Sequence, residues 1–287
     1  MTDSLLHDLA LMVPETVLVV TVLVALLADL IFRRNTAVVS GIVLAGLAVA
    51  GLFVLGQVQI STSIFSGMLA VDPFAWFFKL VILLSAILVV VFSLGFTELT
   101  AGGRRLGEYY ALLTALTLGA MLMAGANNLL MMYLAIELSS FTSYVLSGYT
   151  REAPDASEAS LKYVIYGALS SGLMIYGISI LYGLTGTLGF AEINAALPGV
   201  IEQGTTSTLA LVLAGMLVVV GLGYKISAVP FHFWAPDVYE GAPITITAFL
   251  SVASKAGGFA LMIRFFKVTF IDTSALAVVP GVWAVLP

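Results

Sequence analysis

Apolar residues run along this chain in long blocks, separated by short breaks rich in polar residues, glycine or proline. A block of about 20 apolar residues is what a helix needs to cross the hydrocarbon core of a bilayer. Such blocks predict spans near residues 14–31, 36–55, 73–95, 109–124, 129–149 and 161–184, a seventh starting near Thr208, and an eighth over 244–266. All of them exceed the alternating segments of about ten residues that build outer-membrane barrels. Strands are therefore not expected, and the fold class is all-α, a polytopic transmembrane helical bundle.

The seventh block departs from this plan. Residues 208–240 are too many for one ordinary span, Pro230, Pro236 and Pro243 each lack a backbone donor, and Gly221 and Gly223 loosen the chain just before Lys225. A helix broken inside the membrane is predicted. Such breaks are tolerated where they are buried in protein or line a watery cavity, and transporters use them to present helix ends to an ion.

Composition excludes several classes of function. The chain has 287 residues, 61% of them hydrophobic and 9% charged, against roughly 25% charged in soluble domains. Sixteen carboxylates against eleven bases give a net charge of −5 with no basic patch, so nucleic acid is not a partner. With no cysteine, disulfides, cysteine-ligated iron–sulfur clusters and covalent c-type haem are excluded within the chain. His7 and His232 are the only histidines, and one lies in the leader while the other lies in the seventh block, which argues against a bis-histidine haem. The leader MTDSLLHD is acidic, so the first block reads as a retained helix and not as a signal peptide.

Lysine and arginine are enriched in cytoplasmic loops. Arg33 and Arg34, Arg104 and Arg105, and Arg151 follow the first, third and fifth spans, which predicts an N-terminus outside. Arg264 and Lys267 fall on the wrong side by this count and are treated as a local exception. Lys79, two turns into the third span, is expected to snorkel outward.

Four charges remain inside predicted spans. Glu137 is at the middle of the fifth, Lys162 opens the sixth, Lys225 lies deep in the seventh and Lys255 sits in the middle of the eighth. Each central charge costs about 2.5–3.5 kcal/mol on insertion scales, which points to function. Helical spacing gathers polar groups into stripes: Tyr133, Glu137, Ser140 and Tyr144; Lys162, Tyr166 and Ser170; and Thr247, Ser251, Lys255 and Gly258. Three such faces on successive helices predict a shared hydrated interior able to pass protons. Plainer readings stay open at each position. The alternatives are a static ion pair for Glu137 and Lys225, a snorkelling Lys162 paired with Glu158, a close packing seam of Lys255 with Gly257 and Gly258, and an interfacial aromatic belt that includes His232.

The blocks GYKISAVPFHFWAPDVYEGAP, AFLSVASKAGGFA and YLAIELSSFTSYVL together resemble subunit N of the proton-pumping NADH–quinone oxidoreductase, respiratory complex I. Ile244 and Thr245 depart from that family's usual continuation. The resemblance implies roles in proton translocation for Glu137, Lys162, Lys225, Lys255 and His232. It also implies three leading helices over residues 1–107, the first five-helix unit of an inverted-repeat antiporter-like fold over 108–270, and the start of a truncated ninth helix over 271–287. By the same resemblance the chain is the N-terminal portion of a subunit of about fourteen helices in a bacterial inner membrane. Its partners are the lipid bilayer, protons and the other membrane subunits of complex I, including neighbouring antiporter-like ones. No cofactor is expected in this chain; NAD, FMN, iron–sulfur clusters and quinone belong to other subunits of the oxidoreductase. A free-standing cation/proton antiporter of the Mrp type, and a structural or quinone-contacting membrane subunit, are the alternatives.

Overall fold

The computed structural model describes residues 2–32, 35–96, 99, 106–150 and 152–271. Eight helical segments are long and apolar enough to cross a membrane. In chain order the elements are α1 (Thr2–Leu11), α2 (Val13–Ile31), α3 (Thr36–Leu55), β1 (Thr62–Ile64), β2 (Leu69–Val71), α4 (Pro73–Ser93), α5 (Gly107–Gly125), α6 (Leu129–Ser147), α7 (Pro154–Thr185), α8 (Phe190–Glu202), α9 (Thr205–Ile226), α10 (Ala235–Gly241), α11 (Ile244–Phe249) and α12 (Lys255–Phe266). One π-helical turn, Leu250–Ser254, joins α11 to α12, and another, Lys267–Ile271, follows α12. The predicted spans therefore correspond to α2 to α7, α9, and the composite of α11, α12 and their π turns.

Short polar residues set the helix starts. Asp72, Asn128 and Asn35 cap α4, α6 and α3 by accepting from the backbone N–H of Ala75, Met131 and Val38, as helix N-termini require, and Pro73 occupies the first turn of α4. Helix α5 is the hub: it is enclosed by α2, α4, α6 and α12, and most of its residues are buried. Gly119 lets its backbone touch that of Ser139 on α6, since a Cβ there would meet the Ser139 nitrogen at 2.8 Å.

Two elements correct the expectation that every element is a span or a loop. An antiparallel hairpin pairs Thr62 with Val71 and Ile64 with Leu69, closing the end of the bundle through bonds from Phe65 N to Asp8 Oδ2 and from Asn127 Nδ2 to the Gly67 carbonyl. Helix α8 has only 13 residues and is too short to span. It buries Phe190, Ile193, Asn194, Leu197 and Val200, a one-sided pattern at helical spacing.

Charged side chains supply one further correction and account for one exception. Lys79 does not snorkel: it is 4% exposed and pairs with the equally buried Glu15 at 2.6 Å. Arg264, the exception in the count of loop bases, has a structural partner. It is buried, it donates to both oxygens of Asp72 and to the Ala124 carbonyl, and it lies over the Phe74 ring. Arg33, Arg34, Arg104, Arg105 and Arg151, which carried the topology argument, and nearly all of the predicted ninth-helix start lie outside the described residues.

Candidate functional site: a buried lysine beside a broken helix

The predicted break is present. Helix α9 stops at Ile226, Ser227 caps it in the left-handed region at φ 56°, and the chain turns through residues 228–234 before α10 begins. Aromatic packing holds the break in place. Trp234 stacks on Tyr163 of α7 at 4.3 Å and donates its indole N–H to the Tyr224 carbonyl, while the Tyr224 hydroxyl donates to the Tyr163 carbonyl. Gly167 makes this possible, because a Cβ there would occupy the space of the Tyr144 and Tyr224 hydroxyls.

Lys225 lies in the last turn of α9 and is 3% exposed. Its ammonium donates to Ser139 Oγ at 2.8 Å and not to Glu137. Glu137, half-buried on α6, accepts instead from the Ser171 hydroxyl of α7, which itself lies 3.3 Å from the Tyr133 hydroxyl. The static Glu137–Lys225 ion pair is thus not the observed arrangement. Lys255, at the start of α12, donates to Ser227 Oγ at 2.6 Å and to the Ile226 carbonyl at 3.3 Å. It lies over the faces of Trp234 and Tyr239, 5.5 and 5.6 Å from their centroids. Gly258, one turn on, packs against the Lys225 stem, where a Cβ would lie 3.3 Å from Cγ. The two lysines therefore approach the end of α9 from inside and from across the break.

The other two predicted residues stand apart. Lys162 is 38% exposed and paired with Glu158 at 2.8 Å and with Asp237 of α10 at 2.6 Å. It lines a cleft of about 170 Å³ together with Asp155, Glu158, Asp237 and Glu240. The snorkelling alternative described half of this pairing and missed Asp237. His232 lies in the turn between α9 and α10, stacked on Phe233 at 4.9 Å, with Nδ1 buried and unpartnered, and it bonds to none of the other four. No three histidine, aspartate or glutamate side chains among the described residues converge as a metal site would need.

The polar stripes hold on α6 and fail elsewhere. Each four-residue step on a helix overshoots a full turn by about 40°, so Lys162, Tyr166 and Ser170 drift around α7, leaving Tyr166 exposed while Ser171 meets Glu137. On the last span the π turn shifts the register, so that Ser251 faces outward and Ser254 inward.

Residues 126–286 match the family described as NADH:quinone oxidoreductase/Mrp antiporter, TM. The chain is 52% identical over 206 residues to NADH-quinone oxidoreductase subunit N 2 of Chloroherpeton thalassium, covering 71% of this chain and 40% of that protein. It is 43% identical over 264 residues to NADH-quinone oxidoreductase subunit N of Chlorobium chlorochromatii, covering 91% and 51%. Its fold matches a chain of respiratory complex I from Thermus thermophilus at a TM-score of 0.72 and 32% identity, covering 88% of this chain and 52% of the other. The chain spans about half the length of the curated relatives it matches. With eight membrane-crossing segments, a broken seventh helix and lysines at the break, the chain belongs to the NADH:quinone oxidoreductase/Mrp antiporter family of multi-pass membrane proteins.

Proposed function

We propose that this chain is the leading half of a subunit N that moves protons across a bacterial inner membrane as part of NADH–quinone oxidoreductase. The observation that carries the reading is Lys225, a fully enclosed ammonium at the end of a broken membrane helix, held by a hydroxyl and flanked by Glu137 and Lys255. Desolvation disfavours a buried ammonium and a nearby carboxylate favours it. Movement of Glu137 toward Lys225 would hold the proton, and movement away would release it toward Lys255. Lys162, in the cleft at the opposite end of α7 from Thr185, serves as the entry group, and His232 serves the turn between the half-helices. Residues 1–107 form the leading three-helix unit and 108–270 the first antiporter-like repeat. The driving energy comes from quinone reduction elsewhere in the assembly, where NAD, FMN, iron–sulfur clusters and quinone are held, and the partners are the other membrane subunits of complex I. The N-terminus faces outside.

The test is proton pumping per NADH oxidised by membranes carrying the full-length subunit with Lys225→Arg or Lys225→Ala, with assembly checked in both. Arginine keeps the charge but does not deprotonate in proteins, so both variants should assemble and both should lose most of their pumping. Full pumping by the arginine form would make Lys225 a fixed charge. The family also includes Mrp antiporters, and sodium-dependent pumping by the complex would favour that second reading.

A further inference from the structure

Ser139 takes no part in the reading of the sequence, yet it is the residue that Lys225 touches. It is fully buried on α6, two positions after Glu137. Successive helical residues are rotated by about 100°, so the side chains of Glu137 and Ser139 leave α6 in nearly opposite directions. Of the two, Lys225 bonds to Ser139. The Ser139 anchor is packed in place, since Gly119 brings the α5 backbone against it, while Glu137 rests on the Ser171 hydroxyl in this arrangement. The lysine stem is confined on its other side by Gly258 of α12.

We infer that Ser139 is a positioning residue for the proton step, the resting partner that holds Lys225 away from Glu137 so that the lysine can release its proton. This inference rests on the proposed function above. The chemistry distinguishes the two anchors. A carboxylate only accepts hydrogen bonds, so it favours the ammonium, whereas a hydroxyl accepts from an ammonium and can turn to donate to the neutral amine left after the proton departs. Ser139 therefore serves both protonation states at one site, and Glu137 serves one. The proton leaves the Lys225 nitrogen for that of Lys255 once Lys255 is the neutral amine, and the Lys225 amine keeps its partner.

The experiment uses the full-length subunit in the assembled complex and reads pumped protons per NADH oxidised for Ser139→Ala, Ser139→Cys, Ser147→Ala and Lys225→Ala. Ser147 is an equally buried serine two turns further along α6 whose hydroxyl bonds only to its own helix. Loss of a hydrogen bond to a charged group corresponds to a factor of roughly ten. Ser139→Ala and Ser139→Cys should pump about tenfold less per turnover while assembling normally, and Ser147→Ala should match the unmodified complex. Normal pumping by Ser139→Ala alongside failure of Lys225→Ala would overturn the role of Ser139 and leave the proposed function standing. Normal pumping by Lys225→Ala would instead remove the proposed function. Failure of both Ser139 variants to assemble would make it a packing residue and also overturn the inference.

Discussion

Arg264 grips Asp72 through two hydrogen bonds of 2.7 and 2.9 Å, joining residues 192 positions apart in sequence. The pair ties the far end of α12 to the cap of α4, so the last described span is locked to the third. Fork-to-carboxylate pairing of this kind is among the stronger polar contacts available.

Acid should loosen that lock. Burial, the largest influence on Asp72, raises its pKa, but the Arg264 bond, the Ala75 N–H and the charges of Arg264 and Lys79 together hold the carboxyl below its ordinary value. A depressed carboxyl adds stability that is fully present above the unfolded value of about 4 and is lost as pH falls through the folded value. Thermal stability of the purified protein should therefore drop on acidification below about pH 4, and Asp72→Asn should lower stability at neutral pH and flatten that drop. An unchanged acid profile in Asp72→Asn would show that the lock contributes nothing.

Glu15 and Lys79 make the second test. Removing one partner of a buried pair leaves a charge stranded and costs about 3–5 kcal/mol, whereas replacing both with apolar residues is often neutral. Lys79→Met should destabilise the protein markedly in detergent melts, and Glu15→Leu combined with Lys79→Met should recover most of the loss. A double variant as unstable as the single one would mean that a stranded Glu15 charge is not the cause of the loss.

Orientation can be read directly by labelling. Ser157 lies near the start of α7 and Gln203 follows α8, both exposed and at opposite ends of α7. Cysteines introduced there should react with an impermeant reagent from opposite sides, Ser157→Cys from the cytoplasm and Gln203→Cys from outside. Reaction of both from one side would contradict the eight-span topology.

The spans were legible because twenty apolar residues leave a chain few options in a bilayer. The break after Lys225 was legible because proline and glycine act locally. Partners were harder. Ser139 lies on the face of α6 opposite the stripe built from Glu137, and Ser171 lies one residue from the Ser170 that a four-residue spacing selects. Asp237 was visible in the sequence as an acid beside a proline, but nothing local says that it meets Lys162, 75 residues earlier. Lys79 was misjudged and the partner of Arg264 missed for one reason: a base near a helix end usually reaches for water, and only the tertiary fold brings Glu15 and Asp72 to them. Helix α8 escaped notice because a search tuned to membrane length passes over thirteen residues, although its one-sided pattern was there to find.

The length of α7 sets the depth of Lys162. Thirty-two helical residues measure about 48 Å, while the hydrocarbon layer is about 30 Å thick, so an upright, centred α7 extends some 9 Å past each boundary. Lys162, eight residues in from Pro154, is about 12 Å from that end, within a side chain's reach of the lipid headgroups. Its charge can be held by Asp237 and Glu158 in water-like surroundings, with little of the insertion penalty that Lys225 carries. On the proposed route, a proton held by Lys162 would rest at the headgroup boundary, and the electrical barrier would fall between Lys162 and Lys225.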